Sequence, residues 1–354
     1  MTDLPAPPRR TLRSVDDLVG AGIAHASERD SLEAVAARYA IGVTPDMLAL
    51  MGTDAADPIR RQFAPDAAEL RTTRDETADP TGDDRFTPVK GIVHRYPDRV
   101  LLKPVHACAV YCRFCFRRER VGPGGEALTA AEMEAALDYV RQRPAIWEVI
   151  LTGGDPLILS ARRLGRLIGA LDAIAHLGAI RIHTRLPVAA PESVGPAMVR
   201  ALAAEKAVYV VIHCNHPREV TPRAREALRR LSDSGIPLLS QTVLLKGVND
   251  DPATLEALFR ALVAARVKPY YLHHLDAAPG TGHFRTTIAN GQDIVRGLRA
   301  RVSGLCQPNY VLDIPGGHGK VPIGPVHLSR AEDETDAYVV EDTKGGRHLY
   351  RSPT

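Results

Sequence analysis

From about residue 99 the chain alternates short apolar, β-branched runs with longer amphipathic stretches. The apolar runs fall at residues 99–104, 146–152, 179–185, 207–213, 236–244 and 268–275. One amphipathic stretch opens at Thr129 with Glu132 three residues on, a capping-box pattern. Another opens at Ser160 and places Leu164, Leu167, Ile168 and Leu171 on one helical face. A third enters through Thr221 and Pro222, and a fourth runs through Leu255, Leu258 and Leu262 after Pro252. Six strand–helix units with near-continuous apolar strands predict an α/β fold, a parallel sheet covered by helices. Six units suit a partial (β/α)6 barrel better than a complete barrel of eight, and chemistry in such barrels sits at the C-terminal strand ends.

Polar residues fall where that rule wants them. The second strand runs into Thr152-Gly153-Gly154-Asp155, the third into His183-Thr184-Arg185, and the fourth into His213-Cys214-Asn215-His216. The fifth carries Gln241, and the sixth ends near His273, His274 and Asp276. Around the barrel, read as 91–305, the chain divides into an N-terminal helical and irregular extension (1–90), a lid (306–330) and a polar tail (331–354) with no assigned chemistry. Within the extension, residues 31–39 carry helical periodicity, and the Asp-, Thr-, Pro- and Arg-rich stretch 64–86 reads as a surface connection.

Charge narrows the partners. With 45 basic and 42 acidic residues, the net charge of +3 argues against nucleic acid or an acidic membrane surface as a partner. The first fourteen residues are polar and proline-rich, unlike a secretory signal. No apolar run approaches the roughly 20 residues of a membrane helix. A cytoplasmic location is the expectation.

Three of the five cysteines crowd together as Cys108, Cys112 and Cys115, directly after the first strand. Their C-x3-C-x2-C spacing lets three thiolates ligate three irons of a [4Fe–4S] cube and leaves the fourth iron open to a small molecule. A structural zinc site wants four protein ligands. His106 keeps that alternative open, although no second cysteine pair exists. Later in the chain, Gly316-Gly317-His318-Gly319-Lys320 forms a glycine-rich loop. Val321 stands where a phosphate-cradling loop needs Ser or Thr for magnesium, and Pro322 prevents the helix that should follow. An incidental lysine in an exposed turn and a Schiff-base lysine remain as readings.

The cysteine spacing, with Phe114 before the last cysteine and Gly153-Gly154-Asp155 ending the next strand, resembles the radical S-adenosylmethionine superfamily. Over roughly residues 90–325 the chain resembles the lysine 2,3-aminomutase family. The matching stretches include His94-Arg95-Tyr96-Pro97-Asp98-Arg99, the cysteine loop through Arg117-Arg118, Asn215-His216-Pro217, residues 243–250, and His283-Phe284-Arg285-Thr286. The Pro-Gly-Gly…Gly-Lys loop completes the set.

The resemblance implies a radical isomerase that moves the amino group of an amino acid between adjacent carbons. It implies a [4Fe–4S] cluster on Cys108, Cys112 and Cys115, and S-adenosylmethionine held by Gly153, Gly154, Asp155, His213 and Gln241. Pyridoxal phosphate would be carried on Lys320, with Arg95 on its phosphate and Tyr96 against it. Arg117 would clamp the substrate carboxylate, which suits a bidentate guanidinium. Asp276 and Asp313 match the two acids that hold the distal ammonium of lysine, so L-lysine is the expected substrate. Reduced flavodoxin or ferredoxin is the expected electron donor, and a homo-oligomer is expected.

Some features depart from the free-lysine enzymes. No cysteine follows Lys320, so their C-terminal zinc segment is not expected. Residues 270–276 and 115–118 look closer to the branch that makes β-lysine for elongation factor P. That branch, an aminomutase for another amino acid, and a non-enzymatic iron–sulfur or zinc module are the alternatives.

Overall fold

The computed structural model describes residues 10–122, 125, 127–331 and 336–353. Residues 1–9 of the proline-rich start, and residues 332–335 and 354 of the polar tail, lie outside the described residues.

Nine strands form one sheet in chain order. They are β1 (Ile92–Tyr96), β2 (Arg99–Val105), β3 (Glu148–Gly153), β4 (Ala179–Thr184), β5 (Ala207–His213), β6 (Leu238–Val243), β7 (Val267–His273), β8 (Asn309–Asp313) and β9 (Lys320–Pro322). β1 is antiparallel to β2, β2 through β8 are parallel, and β9 returns antiparallel to β8. The six expected strands are β2–β7, each within two residues of its expected limits. β8 adds a seventh parallel strand, and Lys320 begins β9.

Helices form where their caps and apolar faces dictate. Thr129 and Glu132 make the reciprocal capping box of helix Ala130–Arg141. Helix Ala161–Asp172, capped by Ser160, buries Leu164, Leu167, Ile168 and Leu171. Each such side chain contributes roughly 1.5–3 kcal/mol.

Alternation along the strands separates two environments. Val149, Leu151, Ile180, Ile182, Val210, Ile212 and Leu272 join the buried core with the helices. Their neighbours of opposite parity, Thr152, Arg181, His183, His213, Gln241, Tyr271 and His273, line a cavity on the other face. The strands are therefore not apolar on both faces. The sheet curls around this cavity instead of closing on a packed core. Its two edges come face to face: the Lys320 backbone N–H on β9 donates to the Tyr96 hydroxyl on β1 at 2.7 Å.

The N-terminal extension has its own apolar core, which includes Leu12, Val15, Leu18, Met47, Ile59 and Phe63 together with Val110 of the cysteine loop. Its residues 64–86 are exposed over most of 70–78, as expected of a surface connection, but the stretch also sends Glu69, Thr81 and Asp83 into the interior. Part of the polar tail forms a separate antiparallel sheet with β10 (Leu328–Arg330), β11 (Ala337–Glu341) and β12 (Arg347–Arg351).

Candidate active site

A cavity of about 560 Å³ occupies the concave face of the sheet. Its lining contains all the site residues read from the sequence: Cys108, Cys112, Cys115, Arg95, Tyr96, Arg117, Gly153, Gly154, Asp155, His213, Gln241, Asp276, Asp313 and Lys320.

At one end stands the cysteine loop, which is held on several sides. Tyr111 N–H donates to the Gly42 carbonyl at 3.0 Å, and Arg113 N–H to the Gln62 carbonyl at 2.8 Å. Arg113 and Arg118 both bond Glu69, which is fully buried; Arg113 Nη2 lies 2.6 Å from its Oε2. These two arginines are therefore buried anchors of the loop. The Gly153-Gly154 turn packs beneath the loop. Gly154 and Asp155 N–H donate to the Val105 and Ala107 carbonyls at 2.8 and 2.9 Å. A Cβ on Gly154 would lie 2.1 Å from the Ala107 carbonyl oxygen, so only glycine fits there. The Asp155 carboxylate accepts from Thr184 Oγ1 and from the N–H groups of Leu157 and Arg185, tying β3 to β4.

The three thiols are free. Burial pushes each upward, Cys112 to about 11. Thiols so desolvated become ligands when bound cations stabilise the thiolates. Among the described residues, no three His, Cys, Asp or Glu side chains converge on a single-ion site. Thiols on a cube each serve a separate iron, so they need not converge on one ion. The donor set thus fits a cluster. Beside it, His213 and Gln241 are register partners on β5 and β6. Burial holds the His213 imidazole well below its ordinary value, its Nε2 has no partner, and its ring meets Phe114 edge-on.

The opposite end is densely charged. Lys320 Nζ donates to Asp313 Oδ2 at 2.5 Å, lies 3.2 Å from His273 Nδ1, and sits 5.3 Å above the Tyr271 ring. Burial works against the Asp313 charge, but the neighbouring His273 and Lys320 hold it well below the usual carboxylate range. Asp276 goes the other way, to about 7, driven by burial and then by the Asp313 charge. Burial, then the Lys320 charge, lowers His273 to about 4. A buried carboxyl whose charge is opposed by burial and by a neighbouring carboxylate is a site that gains from an incoming cation.

Facing these acids is a cluster of cations. Arg95 Nη2 lies 2.7 Å, Arg117 Nη2 3.2 Å and Lys103 Nζ 4.0 Å from the Asp83 carboxylate. Arg117 also reaches Thr152 Oγ1 at 3.3 Å, and Arg95 Nη1 lies 3.9 Å from Asp313 Oδ1. Three cations around one carboxylate leave a net positive pocket suited to phosphate or carboxylate groups. The sequence marks neither Asp83 nor Lys103 as a site residue, and marks His183, Arg185 and His273 only as polar strand ends without a role. The surplus of arginines in the cysteine loop was the available signal, since buried cations require acids and the preceding residues supply them.

An open parallel half-barrel with three cysteines after its first parallel strand defines a radical S-adenosylmethionine enzyme. The Radical SAM superfamily model matches residues 102–258. The chain is 38% identical over 315 residues to the L-lysine 2,3-aminomutase of Clostridium subterminale, covering 88% of this chain and 75% of that protein. It is 41% identical to a putative L-lysine 2,3-aminomutase of Aquifex aeolicus, covering 86% and 82%. It is 34% identical to the glutamate 2,3-aminomutase of Clostridioides difficile, covering 85% and 71%. The chain belongs to the lysine 2,3-aminomutase family, and it is an isomerase whose family implies a [4Fe–4S] cluster and S-adenosylmethionine. Among the described residues, no helix is long and apolar enough to cross a membrane.

Proposed function

We propose that the chain interconverts L-lysine and β-lysine, with pyridoxal phosphate on Lys320 and the cluster on Cys108, Cys112 and Cys115. The observation that carries this reading is that the Lys320 amine, the acids Asp313 and Asp276, and the three thiols line one cavity. The cluster and S-adenosylmethionine supply hydrogen-atom abstraction, and pyridoxal phosphate supplies the conjugated carbonyl that carries the migrating nitrogen.

The chain's own residues do the rest. Gly153, Gly154 and Asp155 shape the wall beside the cluster, and His213 and Gln241 face S-adenosylmethionine across it. Arg95 pairs with the phosphate of the pyridoxal group, and Tyr96 lies against the cofactor. Arg117 takes the substrate carboxylate. Asp276 and Asp313 receive the distal ammonium, whose lost hydration must be offset by negative charge. A second carboxylate placed there would meet repulsion, which favours lysine over glutamate. Reduced flavodoxin or ferredoxin delivers the electron.

Anaerobic incubation of the reconstituted chain with L-lysine, S-adenosylmethionine, pyridoxal phosphate and dithionite is expected to yield β-lysine. No β-lysine from fully loaded protein ends the substrate assignment. Borohydride should trap pyridoxal on the wild type and on Cys112→Ala, but not on Lys320→Ala, which should keep its iron.

A further inference from the structure

Arg185 follows the last residue of β4 and is buried. Its Nη1 donates to Cys112 Sγ at 3.1 Å. Its Nη2 donates to Gln62 Oε1 at 2.7 Å and Glu219 Oε2 at 2.5 Å. The guanidinium lies over the rings of Phe63, 4.6 Å away, and Phe114, 5.7 Å away. Glu219 is itself fixed, since its Oε1 accepts from the N–H groups of Asn215 and His216 at 3.0 and 2.9 Å. The planar fork is thus locked from the N-terminal extension, from the turn after β5 and from the cysteine loop, and one N–H is aimed at one sulfur.

A buried ion pair contributes little net stability, because desolvation offsets the attraction between the charges. Its placement against a sulfur calls for a different role. Hydrogen bonds to ligating sulfur tune an iron–sulfur cluster. A cationic donor withdraws negative charge from the thiolate. The reduced cluster carries one more negative charge than the oxidised one and gains more from that withdrawal. We infer that Arg185 is a positioning residue that raises the reduction potential of the cluster through its N–H···S bond to Cys112. This rests on Cys112 being a cluster ligand.

The test uses the full chain, reconstituted anaerobically, as wild type, Arg185→Lys and Arg185→Gln. Iron and sulfide content is measured first, then the potential at which the paramagnetic reduced cluster appears in samples poised with dithionite. The expected result is full cluster loading with a potential shifted negative in Arg185→Lys and further negative in Arg185→Gln. A loaded Arg185→Lys with the wild-type potential overturns the inference. Should the variants fail to load, the wild type decides alone. With isotopically labelled arginine, its reduced cluster should show a nitrogen coupling and an exchangeable-proton coupling, and absence of both overturns the inference. Failure of the ligand reading looks different: Cys112→Ala would then carry a cluster indistinguishable from that of the wild type.

Discussion

The two ends of the cavity hold their charges in opposite ways. At the cysteine end the buried Arg113, Arg118 and Arg185 are each paired with a buried glutamate of the chain. Glu69 takes Arg113 and Arg118, and Glu219 takes Arg185, with Gln62 and backbone N–H groups using the remaining capacity. At the lysine end charges crowd without balancing. Asp276 is pushed to about 7, and Asp83 is shared by three cations. The first arrangement fixes a loop in place. The second leaves groups whose partners are to be exchanged for the charges of bound molecules. A site that must hold an inorganic centre still while organic molecules come and go needs both.

The largest test of this contrast removes the anchor. Glu69→Gln leaves two arginines buried without a full counter-charge, at a cost of about 3–5 kcal/mol. Urea unfolding should show that loss, and iron uptake should fall with it. Normal stability and iron content would mean the cysteine end is not held by its ion pairs. Next, Asp276→Asn removes a charge meant for a ligand and not for the fold. The KM for L-lysine should rise on the order of 10²-fold, from about 3 kcal/mol of lost pairing. Cluster content should stay unchanged.

The same residue gives a pH signature. The folded value of Asp276, about 7, lies above its unfolded value near 4, so its contribution to stability is full below about 4. That contribution is lost as pH rises to about 7. His273, lowered to about 4 from near 6.5, runs the other way: its contribution is full above about 6.5 and is lost as pH falls toward 4. In wild type the two trends oppose. The ligand-free Asp276→Asn chain should therefore gain stability relative to wild type as pH climbs from about 4 to 7. A pH-independent difference in urea midpoint between the two would contradict the raised carboxyl. The smallest effect belongs far from both ends: Thr129→Ala removes a helix cap, costs about 1 kcal/mol, and should leave iron content and KM untouched.

The sequence carried most of the barrel because period and capping are local. Thr129 with Glu132 and the Leu164–Leu171 face need no knowledge of the rest of the chain. β8 escaped because its apolar run, Tyr310-Val311-Leu312, is short and lies beside the lysine loop. Near-continuous apolar runs mask the two faces of the strands, because Arg181, His183 and His273, which line the cavity, are few among their apolar neighbours. Glu69 and Asp83 were hidden by their neighbourhood, since acids in a polar stretch look like surface. Their partners Arg113 and Arg117 lie 44 and 34 residues away. Arg185 sits 73 residues from Cys112 and 123 from Gln62. Nothing local marks a residue whose meaning lies in such separations. The cysteine triplet and the late lysine were legible because their chemistry is rare.

Among the described residues, the curled sheet has a seam: β1 and β9 face each other with no ladder between them. What crosses it is side-chain contact, the Tyr96 hydroxyl with the Lys320 N–H and Arg95 with Asp313. A ladder joins strands by several backbone bonds in series, whereas β1 and β9 are joined by one hydrogen bond and one long ion pair, with the Gly316 N–H donating to the Pro80 carbonyl beside them. The barrel is therefore closed on this flank by side chains and loop packing in place of a ladder. Because the Lys320 N–H makes the hydrogen bond to Tyr96, the residue proposed to carry the pyridoxal group also ties the two edges of the sheet together.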